Sequence, residues 1–96
     1  MIRVTVNYPI TEGASFDHDY YQSTHVPLCL SSWPAAKSAS IDKGVNGPNV
    51  AAVHFTFDSV EAFQASMGSE ATGAVMADIP NYTTIAPVMQ ISEIGQ

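Results

Sequence analysis

Two segments of this chain, Ile2 to Tyr8 and Val50 to Phe57, alternate apolar and polar residues with a period of two. In a pleated strand that period sends successive side chains to opposite faces, so each segment predicts a strand with two unlike faces. The first carries Ile2, Val4, Val6 and Tyr8 against Arg3, Thr5 and Asn7, and Pro9 closes it. The second sets Val53, Phe55 and Phe57 against Ala52, His54 and Thr56. The apolar faces must share one cover, and 96 residues suffice for a single domain, residues 1–96, to supply it.

The cover comes from two helical stretches. Ser15 sits before Phe16 as a candidate N-cap, and Asp17 and Asp19 suit the positive end of a helix dipole, predicting a helix from about Phe16 to Val26. Pro27 lacks the backbone donor to continue it, so Leu28 to Ala36 reads as an irregular connection. Lys37 to Val45 is a weak edge strand, followed by the turn cluster Asn46, Gly47, Pro48 and Asn49. Asp58 or Ser59 caps a helix carrying Val60, Phe63, Gln64 and Met67, and Ala71 to Ala77 adds a short helical piece. A last strand lies within Thr83 to Ile94, after Pro80 and Asn81.

Strand, helix, strand, strand, helix, strand is the βαββαβ order of an α+β, ferredoxin-like domain with a four-stranded antiparallel sheet. Both helices lie on one face of such a sheet. Its other face would carry Arg3, Thr5, Asn7, Ala52, His54 and Thr56, and the last strand presents apolar residues to both sides: Ile85, Met89 and Ile91 on one, Ala86, Val88 and Ile94 on the other. A partly apolar open face predicts an interaction surface, and a second copy of the chain is the simplest cover. A homodimer packed sheet to sheet would enclose a cavity lined by the mixed-polarity face.

Composition excludes several partners. Three basic residues, Arg3, Lys37 and Lys43, against nine acidic ones give a net charge of −6, which disfavours nucleic acid and anionic membrane surfaces. No apolar run reaches the roughly 20 residues of a bilayer span, and no basic-then-apolar leader pattern opens the chain, so a cytoplasmic protein is expected. The single Cys29 excludes an internal disulfide, and neither HExxH nor CxxC spacing offers a metal site. No phosphate-binding glycine pattern is present, and the sequence calls for no cofactor.

The densest group of functional side chains is Asp17, His18, Tyr20, Tyr21 and His25. Asp17, Tyr21 and His25 recur every fourth residue and would stack along one helix face. A wheel drawn at 100° per residue, however, puts His25 opposite an apolar stripe of Phe16, Tyr20 and Thr24, leaving it either exposed or turned inward where the helix unwinds. His54 lies mid-strand beside Thr5 and Asn7, where a proton-accepting nitrogen among neutral groups fits either a small-molecule site or a dimer contact. Candidate catalytic residues are therefore His25, His54 and Tyr21, with Thr5, Asn7, Tyr8 and Thr56 as candidate substrate-binding residues. Cys29 amid Pro27, Leu28 and Leu30 reads as a small buried hydrophobe, and Met67, Met76 and Met89 as core filling.

The opening MIRVTVNYP, the segment FDHDYYQSTHVPL and the closing PNYTTIAPVMQISEI resemble the EthD family, named for ethyl tert-butyl ether degradation. The most specific element is the FD-x-x-YY-x-x-x-H-x-PL pattern, matched by Phe16, Asp17, Tyr20, Tyr21, His25, Pro27 and Leu28. The resemblance implies a ferredoxin-like domain pairing into a dimeric α/β barrel, in a superfamily of cofactor-independent monooxygenases, muconolactone-type isomerases, polyketide cyclases and haem-handling enzymes. It also implies a proton-shuttling role for His25. Two functions are expected from this: an isomerase, cyclase or monooxygenase-like enzyme acting on an apolar small molecule, or a non-catalytic protein that binds such a molecule. Haem ligation through His25 or His54 stays open, but the sequence offers no cluster of Arg or Lys to hold the propionates.

Overall fold

A computed structural model describes residues 1–95. The chain forms β1 (Ile2–Pro9), α1 (His18–Tyr20), a π-helical turn (Tyr21–His25), α2 (Val26–Ser32), β2 (Ser38–Lys43), β3 (Asn49–Phe57), α3 (Val60–Met67), α4 (Ala71–Asp78), a 3₁₀ turn (Ile79–Asn81) and β4 (Val88–Glu93). The strands make one antiparallel sheet in the order β2-β3-β1-β4, which is the ferredoxin-like topology.

Register decides which residues share a face. Val4 pairs with Phe55 and Val6 with Val53, while Thr5 pairs with His54 and Arg3 with Thr56. The core is therefore Ile2, Val4, Tyr8, Val53, Phe55 and Phe57 under the helices. Ser59, in extended conformation, accepts from the Ala62 amide and starts α3, whose Phe63 meets Phe57 edge-on at 5.5 Å between ring centroids. Trp33 packs against Phe55 and donates its indole N–H to Thr72 Oγ1 at 2.9 Å, tying the end of α2 to α4. On β4, Val88 on the open face and Met89 and Ile91 on the helix face are all exposed. None of the described helices is long and apolar enough to cross a membrane.

The first helical segment departs from expectation. It does not stop at Pro27 but continues to Ser32, so Leu28 to Ser32 is helical and not an irregular connection. The π turn explains how: the Val26 amide reaches back five residues to the Tyr21 carbonyl, and the widened turn makes room for the proline ring at the start of α2. The inserted residue also re-aims the side chains. Tyr21, His25, Val26 and Cys29 are buried, whereas Tyr20 is only half-buried and Thr24 is exposed, so the stripe drawn through Phe16, Tyr20 and Thr24 is not the buried face.

Candidate active site

Asp17 caps α1 by accepting from the Tyr20 amide, and its own amide donates to the Tyr82 carbonyl at 2.9 Å. This pins the helix start against the segment leading to β4. One turn on, the π geometry stacks the Tyr21 and His25 rings, with 19° between planes, and leaves His25 only 4% exposed. His25 is thus neither a surface nor a capping histidine.

Its partner comes from the far end of the chain. Asp78, the last residue of α4, has Oδ2 2.9 Å from His25 Nδ1. Asp78 Oδ1 accepts from the Tyr20 hydroxyl at 2.6 Å and from Asn81 Nδ2 at 2.9 Å. These donors, Tyr20 first, hold the Asp78 carboxyl below the usual carboxylate range. An ionised Asp78 can only accept, so His25 Nδ1 carries the proton and Nε2 keeps the free lone pair. Burial lowers the His25 pKa and Asp78 opposes that shift, leaving a neutral imidazole at neutral pH.

Around this dyad lies a set of buried phenols. The Tyr8 and Tyr82 hydroxyls are 2.7 Å apart, Tyr82 touches His25 with 4.5 Å between ring centroids, and Tyr21 sits edge-on to Tyr8. Burial raises the pKa of all three, so they remain neutral donors. Cys29 lies one turn beyond His25, and burial pushes its thiol up to about 12, which removes it as a nucleophile at neutral pH.

Tyr8, Tyr21, His25, Cys29, Trp33 and Phe55 line an apolar cavity of about 70 Å³ between the sheet and the helices. Met76, Pro87 and Met89 also border it, and Met76 and Met89 are each 47% exposed. These two methionines stand at the cavity's solvent side and are not core filling.

The apolar cavity is on the helix side of the sheet. The remaining candidates lie on the opposite face: His54 Nδ1 meets Thr5 Oγ1 at 3.0 Å and His54 Nε2 meets Asp42 Oδ2 at 2.9 Å, in a shallow polar groove shared with Arg3, Ser40, Gln90 and Ser92. Asn7 and Thr56 are half-buried on that same face. The structure therefore brings Tyr8, Tyr21 and His25 together and separates them from Thr5, Asn7, His54 and Thr56 by the thickness of the sheet. Asp78 and Tyr82 were absent from the expected set. Asp78 did carry a signal, since a carboxylate at a helix C-terminus opposes the dipole and needs another reason to be there. No cluster of metal-ligating side chains occurs among the described residues.

No family model matches the sequence, and no curated protein does. Solved structures do. An EthD-like protein from Ralstonia eutropha JMP134 is 42% identical over 99% of this chain and 92% of its own, with a TM-score of 0.91. SnoaB, a cofactor-independent oxygenase from Streptomyces nogalater, shares the fold at 6% identity over 99% of this chain and 93% of its own, with a TM-score of 0.73. A dimeric ferredoxin-like protein from Thermobifida fusca does so at 19% identity, 97% and 90% coverage, and a TM-score of 0.64. With two-fifths of its residues shared across nearly its full length with an EthD-like protein, the chain belongs to the EthD family.

Proposed function

We propose that this protein binds an apolar small molecule in the cavity between sheet and helices and moves a proton on it with His25. The observation that carries the reading is the hydrogen bond that His25, a residue of the apolar cavity wall, makes through Nδ1 to Asp78. It fixes the tautomer, so that Nε2 is the nitrogen free to accept a proton, and it stabilises the imidazolium that results. Tyr21 and Tyr8, neutral and buried, would donate to a carbonyl or enolate oxygen, which spreads the charge that builds when a proton leaves the adjacent carbon. Water exclusion by Trp33, Phe55 and Val53 would strengthen each of these contacts. An isomerisation, a cyclisation or a cofactor-independent oxygenation can each begin with such a proton abstraction, and the fold shared with SnoaB is in keeping with this class.

The second reading is a non-catalytic binding protein. It is favoured by the fact that Asp78 also receives Tyr20 and Asn81, so the dyad would serve to lock α4 onto the first helical segment.

The open face of the sheet would pair with a second copy, as the fold shared with a dimeric ferredoxin-like protein supports. There the Thr5, His54 and Asp42 chain would be an interface contact and not part of the reacting centre.

Native mass spectrometry of freshly purified protein tests these statements together. The enzyme reading expects twice the chain mass with a retained apolar compound, and loss of that compound's turnover in His25→Gln with retention intact. Equal turnover in wild type and variant overturns the role of His25, and an empty monomer overturns both the pairing and the retained ligand.

A further inference from the structure

The groups that face the cavity are all uncharged. The chain has three permanent side-chain cations, and none reaches it. Arg3 lies across the sheet in the polar groove, Lys37 stands 3.4 Å from Asp58 at the surface, and Lys43 ends the exposed edge strand β2. His25 is held neutral by burial, as are the Tyr8 and Tyr21 phenols. The fixed charge beside the site is negative: the Asp78 carboxylate, in contact with the imidazole. An anionic ligand would lose its hydration, gain no cation and meet Asp78 across one ring. A carbonyl or hydroxyl oxygen suffers none of this, because phenols and a neutral imidazole are the donors and acceptors it needs.

Size and wall chemistry narrow the class further. At about 70 Å³ the cavity is smaller than the roughly 150 Å³ known to admit benzene, so a ring enters only if the walls move. Met67, Met76 and Met89 are the walls able to do so, being unbranched, and two of them are half in solvent. Their sulfurs, together with the faces and edges of Tyr21, Trp33 and Phe55, favour a flat aromatic ring over an aliphatic chain.

We propose that the ligand of this cavity is an uncharged aromatic compound bearing a carbonyl or hydroxyl oxygen, and that the site rejects a carboxylate of the same shape. The proposal rests on the reading of the cavity as a ligand site, and the test separates the two. Trp33 is the chain's single tryptophan and lines the cavity, so its indole N–H resonance reports occupancy without ambiguity. Benzamide and benzoate, nearly identical in shape and different in charge, would be titrated into the intact protein at pH 7.5, with acetophenone as a second neutral probe. Saturable shifts of the Trp33 resonance are expected with benzamide and acetophenone, with benzoate at least about tenfold weaker. Benzoate binding as tightly as benzamide overturns the charge selection and leaves the cavity a ligand site. Absence of a saturable shift with all three probes overturns the cavity as a ligand site, and the proposal with it.

Discussion

His25 and Asp78 lie 53 residues apart in the chain and 2.9 Å apart in the fold, one on a π-helical turn and the other at the end of α4. Neither position is favourable alone. The histidine is buried against its preference for water, and the carboxylate sits at the negative end of a helix. Together they satisfy each other and leave one imidazole nitrogen unused.

Removing the negative charge from this pair should lower the His25 pKa further, because the Asp78 carboxylate is what opposes desolvation there. In Asp78→Asn, an NMR titration of the His25 ring should therefore place its midpoint below the wild-type value. A midpoint that rises would mean that the contact does not stabilise the imidazolium.

The same shift sets an acid dependence of stability. The folded His25 pKa is below its ordinary value of 6.5, so the unfolded chain binds the proton more readily. His25 therefore favours folding fully above pH 6.5, and that contribution is lost as pH falls through its lowered folded pKa. Asp78, also lowered, adds stability above its ordinary 3.8 that disappears only at more acidic pH. Urea midpoints measured between pH 7.5 and 5 should fall with acidification in wild type and fall less in His25→Gln.

Two glycines should respond oppositely to alanine. A Cβ at Gly44 would lie 2.1 Å from the Asn49 carbonyl oxygen, where the β2–β3 hairpin backbones approach, and Gly44→Ala should cost about 1–3 kcal/mol. At Gly73, inside α4, the Cβ meets nothing within 4 Å, and Gly73→Ala should stabilise by about 0.4–1 kcal/mol. Chemical denaturation of both variants checks the signs, and a stabilised Gly44→Ala would show that the hairpin has room to relax.

Cys29 should be inert in the native state. Its thiol is buried and its pKa is pushed up to about 12, so almost no thiolate is available at pH 8. Ellman's reagent should label it only after denaturant is added, and fast labelling of native protein would place the thiol in contact with solvent.

The strands, their facing sets and the βαββαβ order were legible because alternation with a period of two depends only on neighbours along the chain. Ser59 was legible as a cap for the same local reason. The π turn was not, since Pro27 read locally is a stop signal, and only packing against the sheet makes one widened turn worth keeping. That turn decides between the two orientations the helical wheel left open for His25 and sets it inward. The EthD-type motif marked Tyr21 and His25, but Asp78 and Tyr82 join them through contacts that span more than fifty residues. On which side of the sheet a cavity is left open depends on how far the helices reach across the strands. Local propensity carries no record of that distance; it is set when the helices pack on the sheet.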